Sequence, residues 1–461
     1  MGDTLLRIYH KLPPSLRSVA ASLRGFYLRH WRYGTETDQL VAEALERDYW
    51  SSEQWKKWQT ERLHQLLHRA ATQVPHYRQY WEERRRRGDG LSFECLENWP
   101  ILSKEMLRRG PVRFLADDCD RRRMIHEHTS GTTGTPLDIW QSRKTSRQWY
   151  ALYEARTRNW NGINRRDRWG IIGAQQVVPR NTKSPPFWVW NAGLNQLYLS
   201  AFHLAPWSGQ SYLDAIKRYR VKYLLGYTNS LAYLAKVAAE SSEKLSLAVV
   251  ITNGEPLSDL QRKIISEGFE CPVRETYGMS EIVCGATECD AGRLHLWPEA
   301  GVIEILDENS QPAPSGTSGR LIATGLLNFD MPLIRYETRD VGSFSSASSP
   351  CSCGRRLPTL GKLMGRADDV VITKDGRRLV QFDGIFDSSL HIKEGQIIQK
   401  KVDSFLIKVV PSEGWSQSDA DRLRQAIVDR VGDVSVTIET TPHIERTWAG
   451  KFRIIISEVG K

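Results

Sequence analysis

Between about residues 126 and 365, short apolar stretches alternate with helical segments. Trp169-Gly-Ile-Ile-Gly173, Tyr223-Leu-Leu-Gly226 and Leu247-Ala-Val-Val-Ile-Thr252 are the clearest. Strands separated by helices indicate an α/β sheet with crossover connections. Val302-Ile-Glu-Ile-Leu306, Gly319-Arg-Leu-Ile-Ala-Thr324 and Leu333-Ile-Arg-Tyr336 then predict antiparallel strands. Residues 36–125 read as helical and charged. After Gly365 the texture changes again. Val370-Val-Ile-Thr373, Ser404-Phe-Leu-Ile-Lys-Val-Val410, a helix over 417–431 and Val434-Ser-Val-Thr-Ile438 predict a compact α+β unit. The expected organisation is a large α/β unit over 1–365 and a small α+β unit over 366–461.

No run of 18 or more apolar residues occurs, so no membrane span is expected. The N-terminus lacks a signal-peptide pattern, and seven cysteines in 461 residues do not make a disulfide framework. A reducing, cytoplasmic setting is expected. The net charge of +10 suits anionic ligands such as nucleotides or coenzyme A, an acidic carrier protein, or an anionic membrane surface. No nucleic-acid-binding signature accompanies it, so the run Arg84-Arg85-Arg86-Arg87 reads as a solvated helix end and no nucleic-acid partner is expected. Residues 1–35 are basic, with Leu16, Val19, Leu23 and Tyr27 at helical spacing. They read as two helices packed on the main body; the sharper reading is an amphipathic segment that touches anionic lipid.

The stretch His128-Thr-Ser-Gly-Thr-Thr-Gly-Thr-Pro136 offers backbone N–H groups and hydroxyls to phosphate oxygens, without the Gly-Lys-Ser/Thr ending of the common P-loop. By itself it could equally be a Ser/Thr-rich turn. It is followed in order by Asn253-Gly-Glu-Pro-Leu257, Glu275-Thr-Tyr-Gly-Met-Ser-Glu281, Arg335-Tyr-Glu-Thr-Arg-Asp340, Gly365-Arg-Ala-Asp-Asp369 and Gly450-Lys-Phe-Arg453. This order and spacing, from about residue 95 onward, resemble the adenylate-forming superfamily of acyl-CoA synthetases, luciferases and peptide-synthetase adenylation domains. Within it the chain looks like the phenylacetate–coenzyme A ligase family, in the branch associated with capsular polysaccharide genes. Ile8-Tyr-His-Lys-Leu-Pro13, Leu225-Gly-Tyr-Thr-Asn-Ser-Leu231, Cys351-Ser-Cys-Gly-Arg355 and Gly395-Gln-Ile-Ile-Gln399 carry that narrower match.

The resemblance implies a large adenylate-forming domain and a small, mobile C-terminal domain that carries a catalytic lysine. Ser130, Gly131, Thr132, Thr133 and Gly134 would hold the ATP phosphates. Gly254, Glu255 and Pro256 would wall the adenine pocket, Tyr277 would stack on the purine, and Ser280 would bond the α-phosphate. Glu281 would ligate Mg²⁺, a hard cation suited to a carboxylate. Asp340 would hold the ribose hydroxyls, Arg366 would sit near the nucleotide, and Asp368 would be the hinge. Lys451 would stabilise charge on the α-phosphate as the acid attacks.

Two departures stand out. Many relatives read Tyr-Arg-Thr-Gly-Asp where this chain has Tyr336-Glu337-Thr338-Arg339-Asp340, and the Val-Asn-Val-Phe-Pro stretch of phenylacetate ligases is missing after Gly376. The second departure puts phenylacetate and coenzyme A in doubt.

Cys289, His295, Cys351 and Cys353 form a candidate structural Zn²⁺ set of three thiolates and one imidazole. Spacing leaves this open against four unrelated loop residues; similar pairs in zinc-bearing relatives favour the metal. The acid pocket is expected between 170–205, 224–232 and 253–284, with Trp188, Trp190, Tyr198, His203, Tyr227 and Asn229. The expected reaction makes an acyl-adenylate and pyrophosphate, then transfers the acyl group to a thiol of coenzyme A or a carrier protein. An amine acceptor giving an amide, or a catalytically silent nucleotide-binding scaffold, are the alternatives.

Overall fold

The computed structural model describes residues 3–128, 137–173, 175–205, 207–241, 244–346, 350–366, 371–374, 378–379, 385–386, 390–446 and 452–459. Its centre is a 12-stranded sheet. In one half, Val273–Gly278, Val249–Thr252, Tyr223–Gly226, Trp169–Gly173 and Gln196–Ser200 run parallel, and Trp188–Asn191 closes that edge antiparallel. Helices Gly209–Arg218, Thr228–Glu240 and Asp259–Phe269 supply crossovers, as the strand–helix alternation requires. Tyr223–Gly226 and Val249–Thr252 are buried at every position, which explains their near-continuous apolar sequence.

Val273–Gly278 is the junction of the sheet. It pairs parallel with Val249–Thr252 on one side and antiparallel with Gly285–Glu288 on the other. Beyond it the order is Leu294–Leu296, Thr359–Arg366, Tyr336–Phe344, Gly319–Gly325 and Gly301–Leu306, all antiparallel. Helices Ser52–Gln73 and Pro75–Arg86 cover this half through Leu66, Tyr77 and Trp81, with Trp99 from the following segment packed among them. Pro75–Arg86 ends in the arginine run, where Arg84 pairs with Asp89 and lies over the Trp81 ring.

The first helices, Asp3–Lys11 and Pro14–Arg32, lie on the body. The second covers the edge strand Trp188–Asn191: Ser18 Oγ accepts from the Trp190 N–H at 3.3 Å, and Ser22 Oγ from the Ala192 N–H at 3.0 Å. Close approach is possible because Gly193 faces the helix backbone; a Cβ there would lie 2.3 Å from the Phe26 nitrogen. The helix thereby satisfies backbone groups that an open sheet edge would expose.

A separate four-stranded sheet, in the order Ser435–Thr440, Ser404–Pro411, Ile392–Lys401 and Ile455–Ser457, packs against helix Gln417–Val431. Phe405, Ile407 and Val409 alternate inward to meet Leu423 and Ile427. No described helix is long and apolar enough to cross a membrane.

Candidate active site and metal centre

Three segments leave the carboxyl ends of adjacent parallel strands, where open α/β sheets bind ligands. Tyr227–Asn229 follows Tyr223–Gly226, Asn253–Pro256 follows Val249–Thr252, and Met279–Glu281 follows Val273–Gly278. Together with Thr338, Asp340, Val341 and Gly365 they line a cavity of about 580 Å³, and Phe452–Ile455 from the second sheet's segment close it. That volume suits a small-molecule substrate. The turn after Thr252 needs Gly254, whose φ of 70° lies in the left-handed region.

Glu255 is the hub of one wall. Its Oε2 accepts from the Asn229 backbone N–H at 2.9 Å and from Asn229 Nδ2 at 3.0 Å. Its Oε1 accepts from the Phe452 N–H at 3.2 Å. Gln261 caps its own helix through Ser258 and also donates to Asn229 Oδ1 at 2.9 Å. On the opposite wall the Tyr277 hydroxyl donates to Asp340 Oδ2 at 2.8 Å. Burial and that carboxylate hold the Tyr277 phenol well above its ordinary pKa, so it stays a donor.

Glu281 is buried, and its Oε1 accepts from the Tyr336 hydroxyl at 2.8 Å and faces Lys104 Nζ at 3.4 Å. Its Oε2 has no hydrogen bond among the described residues. Glu281 lines the cavity, and a carboxylate oxygen left open to it without a donor suits a cation. Ser280 lines the cavity with its side chain exposed. Arg366 stands opposite Asp340 in the strand ladder; its side chain lies outside what is described. Ser130, Gly131, Thr132, Thr133, Gly134, Asp368 and Lys451 also lie outside the described residues.

The residues expected for the acid pocket do not all line the cavity. His203 does not line it: the ring is buried in the core, with Nδ1 2.8 Å from Ser200 Oγ and Nε2 3.0 Å from the Pro179 carbonyl. Trp188, Trp190 and Tyr198 are likewise absent from the lining, with Trp190 stacked on Tyr219. Trp149, Tyr150, Tyr153 and Trp297 line it instead, joined by Trp31 and Arg32 from the end of the N-terminal helix. Lys104 and Gln261 were also not singled out from the sequence. Tyr150 and Tyr153 follow the ordinary spacing of a packed helix, so nothing in the pattern separates them from core.

The altered motif has a local account. Glu337 points to the neighbouring strand and pairs with Arg320 at 2.6 Å. Arg339 takes φ 67°, the left-handed region glycine adopts freely, and its guanidinium pairs with Glu105.

Glu275 is a titration point beside the cavity. Burial, and then the charge of Glu288, push its carboxyl up to about 7 from 4.5. A raised carboxyl favours the fold while protonated. Its contribution is full below about 4.5 and is lost as pH rises through about 7. Glu275→Gln should therefore gain stability relative to the parent between pH 5 and pH 8, by roughly 1–3 kcal/mol. Urea unfolding at both values checks this; the same difference at both would refute it.

The four candidate zinc ligands converge. The ligand atoms of Cys289, His295, Cys351 and Cys353 all lie within 4.8 Å of one another. Cys289 Sγ is 3.6 Å from Cys351 Sγ, and Cys353 Sγ is 3.4 Å from His295 Nε2. Tetrahedral zinc needs edges of about 3.5–3.8 Å, given bonds of about 2.3 Å to sulfur and about 2.0 Å to nitrogen. His295 Nδ1 sits 3.1 Å from the Leu357 carbonyl; donation there leaves the Nε2 lone pair for a metal. Nearby, Trp160 meets the His295 ring edge-on and bonds Asp48 at 2.8 Å. Asp48 and Glu299 both bind the fully buried Arg156.

Residues 371–458 match the family model of the CapK C-terminal domain. Protein CapK of Staphylococcus aureus is 21% identical over 460 residues, 98% of this chain and 99% of CapK. A phenylacetate-coenzyme A ligase of Thermus thermophilus is 26% identical over 337 residues, 70% of this chain and 72% of the ligase. Among solved structures, 2-hydroxyisobutyryl-CoA ligase in the postadenylation state with 2-HIB-AMP superposes with a TM-score of 0.67 at 20% identity, covering 90% of this chain and 91% of that one. The same ligase with 2-HIB-AMP and CoA in the thioesterification state gives 0.54 at 20% identity, over 90% and 92%.

Proposed function

As a homologue of CapK and of the phenylacetate-coenzyme A ligases, with the fold of an adenylate-forming CoA ligase, this chain, we propose, is an AMP-forming acid ligase. A carboxylate oxygen of the acid attacks the α-phosphorus of ATP, the α–β phosphoanhydride bond breaks, and pyrophosphate leaves. A thiol sulfur then attacks the acyl carbon, its proton passes to solvent, and AMP departs with the electron pair of the broken C–O bond. The observation that carries this reading is the cavity at the strand ends. It gathers Glu255, Tyr277, Glu281 and Asp340 from motifs far apart in sequence, with Phe452 from the C-terminal segment.

In this reading the Asn253–Pro256 turn and Tyr277 hold the adenine, Asp340 the ribose, and Ser280 with the loop Ser130, Gly131, Thr132, Thr133 and Gly134 the phosphates. Glu281 would hold Mg²⁺ through Oε2, while Tyr336 and Lys104 fix the carboxylate by its other oxygen. The cation would offset phosphate charge. Tyr227 and Asn229, with Trp149, Tyr150 and Tyr153, would enclose the acid. We place the domain boundary at 365–366, with Asp368 as the hinge and Arg366 beside the nucleotide. Coenzyme A is the favoured thiol; a carrier protein or an amine would use the same adenylate. The cytoplasm supplies ATP and these acceptors.

Acid-dependent pyrophosphate release, measured across a broad panel of carboxylic acids with and without coenzyme A, tests the proposal. Release with a matching acid and a thioester product only with coenzyme A are expected. An amide product would move the second step to an amine, and no release with any acid would overturn the ligase reading in favour of a nucleotide-binding scaffold.

A further inference from the structure

We propose that the N-terminal pair of helices is a docking surface for an anionic lipid bilayer. The helix Pro14–Arg32 is amphipathic in the wrong sense for a water-facing helix. Its protein-facing side carries Arg17, Gly25 and Trp31, with Ser18 and Ser22 bonded to the edge strand. Leu16, Val19, Leu23, Phe26 and Tyr27 face solvent, with Leu16 48% and Leu23 67% exposed. Steps of three and four residues set these side chains in one stripe. The preceding helix Asp3–Lys11 adds Leu5 and Ile8, both more than half exposed. A helix packed on its own protein normally turns such residues inward.

Charge selects the occupant. From Thr4 to Thr35 the chain has six Arg and Lys residues and no Asp or Glu. Arg7, Lys11, Arg24 and Arg29 are exposed beside the apolar stripe. A second copy of this chain would bring like charges face to face, which disfavours a dimer through this surface. An anionic bilayer complements both features: aliphatic and aromatic side chains enter the acyl boundary while guanidinium and ammonium groups meet the headgroups. Since no described helix can span a membrane, the contact lies in the interface plane. It is independent of the reaction assigned above.

The experiment is co-sedimentation of the full-length protein with vesicles of phosphatidylglycerol and phosphatidylcholine, against phosphatidylcholine alone. The parent should sediment with the anionic vesicles, and less so in high salt. The double variant Leu16→Ser, Leu23→Ser should partition at least about tenfold more weakly. Lys11→Gln and Arg24→Gln should each weaken binding roughly fivefold. All four side chains are exposed and outside the cavity, so thermal unfolding and acid-dependent pyrophosphate release should match the parent. Absence of binding to anionic vesicles would overturn the proposal, as would unchanged partition of the Leu16→Ser, Leu23→Ser variant. A concentration-dependent dimer lost in that variant, without vesicle binding, would overturn it in favour of a second copy.

Discussion

Lys451→Ala should lower acid-dependent pyrophosphate release by on the order of 100-fold or more, while nucleotide binding changes little. An ammonium aimed at developing charge acts most strongly in the transition state and contributes less to the ground-state complex. The next residue, Phe452, lines the cavity and donates its N–H to Glu255, which brings this part of the C-terminal segment to the site. Isothermal titration with ATP and a pyrophosphate assay separate the two effects. Full release by the variant would remove Lys451 from the mechanism. Weak ATP binding with an unchanged maximal rate would assign it to substrate capture.

Protein prepared without chelator should contain about one zinc per chain, and Cys353→Ser should lose most of it. Four protein ligands leave no open coordination position, so the site is expected to be structural. The cluster ties the Cys289–His295 hairpin to the loop ahead of strand Thr359–Arg366. Both lead to cavity residues: Gly285–Glu288 pairs with the strand bearing Tyr277, and Thr359–Arg366 pairs with the strand bearing Asp340. A loss of about 3 kcal/mol is expected on removing one ligand, or several degrees in unfolding temperature. Acid preference should change far less. Elemental analysis and calorimetry read the two effects. Metal-free parent protein would rule the site out.

The strand–helix alternation was legible because parallel strands covered on both faces read as near-continuous apolar runs, as Tyr223–Gly226 and Val249–Ile251 do. The convergence of Cys289, His295, Cys351 and Cys353 was readable from residue chemistry, although their spacing alone left it open. Residues such as Tyr227, Asn229 and Glu255 were readable because they sit in motifs at strand ends. The aromatic end of the cavity was not. Trp149, Tyr150 and Tyr153 lie on a helix whose pattern is that of ordinary packing, and Trp31 belongs to a segment nearly 120 residues away in sequence from Trp149. His203 carried the right chemistry in the expected segment, but its neighbours Ser200 and Pro179 satisfy both ring nitrogens. Periodicity shows that a side chain is turned inward; it does not tell a packed core from the wall of a cavity. The apolar stripe on Pro14–Arg32 is the converse case. Its period was visible, yet the side turned to the protein was set by Ser18, Ser22 and Gly25.

Glu255 couples the seating of the C-terminal segment to one wall of the cavity. One oxygen holds Asn229 and the other holds Phe452. Any ligand that draws on Asn229 therefore changes the free energy with which the C-terminal segment is seated, and by reciprocity the seating changes that ligand's affinity by the same factor. Under the proposed reaction, a substitution that loosens the seat is expected to register as altered apparent affinity for the acid even though it touches no part of it.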